Sequence, residues 1–157
     1  MLADPATTVL AFLNTLDVED GTDLISDPDE WQQWVSTTLD LDEEQTPPRR
    51  DKARELRALL RAAVSAESDA GRAEVPVSVE LGPRGGRIRS STAIGTIAAA
   101  VAKLSIDGRW HRVKICPADD CRWAFFDESR NRSRQWCSMS VCGNRAKVRK
   151  HRERTTS

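Results

Sequence analysis

Over the first hundred positions apolar residues recur at spacings of three and four, with one stretch of strict alternation in between. Val9, Leu10, Phe12, Leu13 and Leu16 supply a wide apolar face behind a capping Asp4 and a first-turn Pro5, which predicts a helix from about Pro5 to Leu16. Asn14 and Thr15 interrupt that face with polarity. In DPDEWQQWVSTTL, Asp27 is placed to cap a second helix, and Trp31, Trp34, Val35 and Leu39 fall along one side of it. DLDEEQTPPRR then breaks the pattern, because paired prolines cannot continue a helix. A third helix, about Arg50 to Ala66, carries Ala53, Leu56, Leu59, Leu60, Ala63 and Val64 on one stripe.

VPVSVEL alternates apolar and polar residues, GPRGG turns and RIRSS returns, which predicts a hairpin whose first strand Pro76 marks as an edge. From about Thr92 to Ser105, Ile94, Ile97, Val101 and Leu104 form a stripe flanked by small alanines that permit close approach, as a central helix needs. GRWHRVKIC and RWAFF read as short strands on either side of the turn CPADDC. From about Met139 to Arg154 the chain has few large apolar residues, so a solvent-facing helix is expected there. The whole is an α+β pattern: a mainly helical N-terminal lobe with a small β-hairpin, residues 1–108, and a smaller C-terminal unit, residues 109–157.

Composition adds a constraint on the core. In 157 residues, a hydrophobic content of 39% against 31% charged leaves a thin core, enough for one modest domain with a metal-stapled appendage. MLADPATTVLAFLNTLDVED has no early Lys or Arg and does not read as a secretory leader. The most apolar run, AIGTIAAAVAKLSI, is too short to cross a bilayer and contains Lys103. A cytoplasmic protein without a membrane association is expected, and in a reducing compartment four cysteines suit metal better than disulfides.

The net charge of zero conceals a polarity along the chain. Residues 1–48 hold twelve acidic residues and no Lys or Arg, whereas residues 110–157 hold twelve Lys or Arg and five acidic residues. An acidic body with a basic, polyanion-seeking tail follows, and the acidic part could mask the basic one in the free protein.

The cysteines are spaced C-x4-C, fifteen residues, C-x4-C: Cys116, Cys121, Cys137 and Cys142. Two local pairs give zinc its four soft ligands at low loop-closure cost. Cys137 and Cys142 cannot share one helix face, since five residues at about 100° each turn the side chains apart. Cys137 should therefore precede the terminal helix and Cys142 lie in its first turns. Four cysteines close the coordination shell, and His111 and His151 have no ligand setting, so one structural zinc is expected, with no catalytic residue. Strand, knuckle, strand and helix around one zinc form a treble-clef-like finger, in which Trp123, Phe125, Phe126 and Trp136 would build a miniature core.

The string from Cys116 through CRWAFFDESRNRSRQWCSMSVCGNRAK closely resembles the CGNR zinc-finger family, with the literal CGNR at Cys142, Gly143, Asn144 and Arg145. In that family the finger commonly follows an N-terminal domain of the ABATE type. Leu13-Asn14-Thr15 and DPDEWQQW are similar to the usual opening of that domain, here shortened between the third helix and the Thr92 helix. The resemblance implies a bacterial stress-linked transcription regulator with a DNA-binding finger.

Arg130, Arg132 and Arg134 recur every second residue, and Arg145, Lys147, Arg149, Lys150, Arg152 and Arg154 follow on the terminal helix. On a helix Arg145, Arg149 and Arg152 share a face flanked by Lys147 and Lys150. Such a surface suits the phosphates of double-stranded DNA, with Asn144 or an arginine able to read bases. Bracing is the competing role: Arg130 and Arg134 could bond Asp127 or Glu128, and Asn144 and Arg145 could fix the knuckle. The expectation is a DNA-binding regulator, with a zinc-stabilised protein-interaction adaptor as the alternative. A protein partner or small effector at the N-terminal lobe, and a homodimer on paired half-sites, are compatible with it. GPRGGR lacks the spacing and Lys-Ser/Thr of a phosphate-binding P-loop and reads as a hairpin turn.

Overall fold

A computed structural model describes residues 4–41, 49–65 and 70–155. Helix α1 (Pro5–Leu13) starts where the Asp4 carboxylate accepts from Ala6 N at 3.1 Å. It stops three residues before the expected end at Leu16. The Thr15 hydroxyl turns back to donate to Phe12 O (2.7 Å) and the Asn14 amide is committed to a distant backbone, so neither continues the helix. Leu16–Asp17 instead forms β1, which pairs antiparallel with β2 (Thr22–Asp23). Helix α2 (Pro28–Leu39) is capped by Asp27, whose Oδ1 accepts from Asp29 N and Glu30 N at 2.9 and 3.0 Å. It buries Trp31, Val35 and Leu39, and Trp34 stacks on Trp31 at 5.1 Å between centroids with Phe12 beside both.

Helix α3 (Arg50–Val64) places Ala53, Leu56 and Leu60 in the core, and the expected last residue, Ala66, lies outside the described residues. Strands β3 (Ser78–Gly82) and β4 (Gly85–Arg89) pair antiparallel around a tight turn. Gly85, at φ +95°, takes the conformation that a side chain would resist. Helix α4 (Ala93–Ile106), capped by Thr92 Oγ1 on Gly95 N at 3.1 Å, packs against α1, α2 and α3 with Ile97 and Leu104 fully buried. This is the central helix that its small-residue stripe predicts.

Of the segment GRWHRVKIC only Val113–Ile115 is strand, here β5; Trp110–Arg112 is a 3-10 turn whose Arg112 N bonds Arg109 O at 3.0 Å. β5 pairs antiparallel with β6 (Ala124–Phe126), Val113 opposite Phe126 and Ile115 opposite Ala124. The architecture is α+β: among the described residues, five α-helices, three two-stranded hairpins, and a four-cysteine cluster leading into α5 (Asn144–Thr155). No helix among them is long and apolar enough to cross a membrane.

The β5–β6 hairpin is built into the helical core instead of heading a separate one. Val113 and Ala124 belong to the main cluster with Val9, Phe12 and Ile97, and Trp110, Ile115 and Phe126 pack against it. The expected miniature core is corrected accordingly. Trp136 does lie against the cysteines, but Phe126 serves the main core, Trp123 is 38% exposed, and Phe125 is buried beneath Arg134. A three-residue hairpin buries more apolar area against helices than against a metal knuckle.

Candidate metal centre and nucleic-acid interface

Cys116 follows β5 directly, its N–H donating to Trp123 O at 2.8 Å. Ala118 O then accepts from Cys121 N and Arg122 N, both at 3.0 Å, and Arg122 takes a left-handed φ of 55°, turning the chain into β6. The second pair is positioned by a single π-helical turn, Met139–Gly143, in which Gly143 N reaches back to Ser138 O at 3.0 Å. Ser138 Oγ accepts from Val141 N at its start (3.3 Å). Cys137 precedes this turn and Cys142 lies within it, as the angular argument requires, and the widened turn brings their side chains to one side. A Cβ at Gly143 would press on Met139 at 3.2 Å and face Trp136 at 3.5 Å, so the small residue keeps both packed beside the cluster.

The four Sγ atoms lie within 4.8 Å of one another, with Cys121 to Cys137 at 3.5 Å and Cys137 to Cys142 at 3.6 Å. Four sulfurs at a Zn–S distance of about 2.3 Å in a tetrahedron stand about 3.8 Å apart, so this donor set fits zinc. Burial, reinforced by neighbouring thiols, pushes the Cys137 thiol up. Burial also pushes Cys142 up to about 11, while hydrogen bonds involving the Cys137 and Ala118 backbone overcome burial to lower Cys116. Four thiolates coexist at this spacing only around a cation. The clustered cysteines indicate one structural zinc in a shell that sulfur closes.

The loop between the pairs is tied down by Asp127, whose side chain is fully buried. Its Oδ2 accepts from Lys114 Nζ (2.5 Å) and Arg134 N (3.1 Å), and its Oδ1 from Ser129 N and Oγ (2.9 and 2.5 Å). Burial would raise this carboxyl, yet the bonds from Lys114 and Ser129 outweigh it and hold the group well below the usual carboxylate range. Lys114 Nζ also donates to Arg132 O and Arg134 O, and Arg112 donates to Asp127 O and Ser129 O. These two braces are absent from the sequence reading. The alternation of β5 marks Lys114 as off the apolar face, but nothing local shows that its ammonium meets a carboxylate thirteen residues on.

The nine basic or amide candidates divide by what they touch. Arg134 is a brace: its guanidinium donates to Trp136 O at 3.0 Å and to Cys137 O, and lies 4.8 Å over Phe125. Asn144 donates to Ser140 O at 3.0 Å and fixes the π-turn. Arg145 bonds Glu19 of the acidic lobe at 2.9 Å and, with Arg149, stands 3.9 Å from Asp120 of the cysteine turn, so this helix face is met by carboxylates. The Glu19 bond raises the Arg145 pKa further. Arg130 and Arg132 are exposed on the loop, and Lys147, Lys150 and Arg152 are exposed on α5, which has no buried residue at all.

Several side-chain bridges join the halves of the chain, and two of them reach backbone groups. Asn14 donates to Ala124 O (2.9 Å) and accepts from Ala124 N (2.8 Å), completing the edge of β6. Arg61 donates to Leu13 O and Arg122 O at 2.9 and 2.7 Å. Within the lobe, buried Arg57 forks onto Asp23 with two bonds of 2.7 Å and reaches Thr15 Oγ1 at 2.9 Å. Elsewhere a groove of about 570 Å³ opens between α3, residues 72–76 and the start of α4.

Compared with known proteins, residues 112–155 match the model of the CGNR zinc finger, and residues 6–113 match that of the ABATE domain, described as "putative stress-induced transcription regulator". No curated protein gives a match. With the second model spanning well over half of the chain and the first covering the cysteine cluster, the protein belongs to the ABATE family, to which that description applies, and carries the ABATE domain ahead of a CGNR zinc finger.

Proposed function

We propose that the protein is a double-stranded-DNA-binding transcription regulator in which zinc holds α5 as a projecting cationic rod. The observation that carries this reading is α5 itself: twelve residues, none buried, anchored at one end by the sulfur cluster and bearing Arg145, Lys147, Arg149, Lys150, Arg152 and Arg154. A helix that buries nothing gains no stability from packing, so its charge is the property it presents. Cys116, Cys121, Cys137 and Cys142 are the proposed zinc ligands. Lys147 and Lys150, with Arg154, occupy the flank away from Glu19 and Asp120 and are the first-choice phosphate contacts, joined by Arg130 and Arg132 from the loop. Arg145 and Arg149 would meet phosphate only as Glu19 and Asp120 yield. The groove beside α3 is where a small effector would bind, and residues 1–108 and 109–157 are the regulatory and DNA-contacting parts of the chain.

The test is fluorescence anisotropy of zinc-loaded protein with duplex DNA across a salt series. Contact with three to five phosphates gives a log–log salt slope of about −3 to −4.5, and zinc removal abolishes binding. Lys147→Gln with Lys150→Gln should shallow that slope by about 2. Absence of binding at low salt overturns the DNA reading. It would favour a protein-docking finger, for which exposed Met139, Val141 and Val148 provide apolar contacts.

A further inference from the structure

The β3–β4 ribbon meets α4 on its β4 side and leaves β3 as an outer edge. Every residue of β3 is exposed, as is every residue of β4 except Ile88, and among the described residues the sheet has no third strand. Its two faces differ. Register places Val79 opposite Ile88 and Leu81 opposite Gly86, so Val77, Val79, Leu81 and Ile88 share one face. Ser78, Glu80, Arg87 and Arg89 share the other, where Arg89 bonds Glu80 at 2.9 Å. Val79 and Leu81 lean over Gly86 and remain 63% and 80% exposed. An isolated two-stranded ribbon is marginal in water, and an exposed apolar edge strand is a template for another strand.

We infer that the occupant of this edge is a second copy of the chain, paired antiparallel β3 to β3 about a two-fold axis at Val79. That register sets Val79 against its own symmetry mate, Val77 against Leu81 of the second copy, and Ser78 against Glu80 of the second copy. Apolar residues meet apolar ones, and no like charges face each other. The alternatives fail on the same accounting. Centring on Glu80 opposes two carboxylates, and centring on Ser78 sets Glu80 and Leu81 against Pro76 and Val75, which lie outside β3. Pairing β4 with itself about Ile88 sets Arg87 against Arg89 twice. Pairing β3 with β4 of another copy is heterologous and does not close. Three exposed apolar side chains per copy fall well short of the roughly 800 Å² per partner of a standard stable interface. The dimer is accordingly weak and concentration-dependent, and it is independent of any binding to DNA.

The experiment is sedimentation velocity of the full-length, zinc-loaded protein from low micromolar to near-millimolar concentration. A reversible monomer–dimer equilibrium is expected. Val79→Lys, which opposes two ammonium groups on the axis, should leave only monomer. Leu81→Lys, which sets an ammonium against Val77 of the second copy at two equivalent positions, should weaken the dimer about tenfold. These positions are exposed, so far-UV circular dichroism should match wild type. A Val79→Cys variant should cross-link to itself under mild oxidation, because only the residue on the axis faces its own copy. Monomer at every concentration overturns the proposal and leaves the ribbon to a partner protein. A dimer indifferent to Val79→Lys, or assembly that grows beyond two copies, overturns it as well.

Discussion

Replacing Asn14 by Ala tests whether the finger hairpin and the helical lobe fold as one unit. The Asn14 amide supplies both hydrogen bonds that the backbone of Ala124 makes on that side, at 2.9 and 2.8 Å, and Ala124 is only 2% exposed. Truncation leaves one N–H and one C=O buried without partners, and among the described residues no further strand pairs with β6 to take them. Each buried orphan costs about 1–3 kcal/mol, so the variant should lose about 2–4 kcal/mol. For a chain of this length that lowers Tm by roughly 10 °C. Asn14→Asp should be nearly as damaging, since a carboxylate cannot donate to Ala124 O. The assay is urea unfolding of zinc-loaded protein followed by tryptophan fluorescence and by far-UV circular dichroism. The two probes should shift together, because Val113 and Ala124 lie in the same core as Phe12 and Ile97. A loss below 1 kcal/mol, or a fluorescence transition that separates from the helical one, would refute the idea that Asn14 joins the two halves.

Cys142→Ser should abolish zinc uptake, measured by metal analysis, and melt α5, because zinc ligation supplies folding free energy on the order of 10 kcal/mol in such units. Arg57→Met should cost about 3 kcal/mol by urea titration, since it strands Asp23 beneath α3; Asp23 keeps a quarter of its exposure, which holds the loss at the low end for a broken buried pair. The bonds from Arg57 hold the Asp23 carboxyl below its ordinary value of about 3.9, so the stability they supply is present above that pH and is lost as pH falls through the lowered value. The stability gap between wild type and Asp23→Asn should therefore be constant near neutrality and close in acid. Gly95→Ala should destabilise by about 1–2 kcal/mol although alanine is the better helix former. Its Cβ would overlap Ser90 Oγ, lie 2.7 Å from Ser90 Cβ and crowd the capping Thr92 hydroxyl.

What the sequence discloses is what depends on near neighbours. The caps of α1 and α2 are legible because Asp4 and Asp27 bond amides two or three residues away. The metal cluster is legible because each cysteine pair is local and zinc demands four donors. The end of α1 is not, since what diverts Asn14 is a backbone 110 residues away. Arg57, four residues after Ala53 and three before Leu60, shares the apolar face of α3 and is 5% exposed, but its charge gives no local sign of the Asp23 and Thr15 partners that make this burial tolerable. The 3-10 turn at Trp110–Arg112 replaces a strand because the hairpin has only three residues to pair on its other side. The allocation of Phe126 to the main core likewise depends on where the helices lie.

The arginines of the finger show why a basic run does not by itself map a nucleic-acid surface. A guanidinium offers several donors in a fixed plane, so it can satisfy two carbonyls at once and still stack on a ring, as Arg134 does with Trp136, Cys137 and Phe125. Arg112 likewise grips Asp127 O and Ser129 O, and Arg145 reaches across to Glu19. The ammonium of a lysine is a strongly hydrated point charge, retained in the fold only where a buried carboxylate such as Asp127 holds it. On α5, where there is no such carboxylate, Lys147 and Lys150 stay in solvent. Half-exposed pairs such as Arg145–Glu19 are each worth under about 1 kcal/mol, and a phosphate contact can replace them. On the proposed DNA-binding reading, approaching DNA would therefore engage the lysine flank first, and Arg145 and Arg149 would turn from Glu19 and Asp120 to phosphate only as the helix seats.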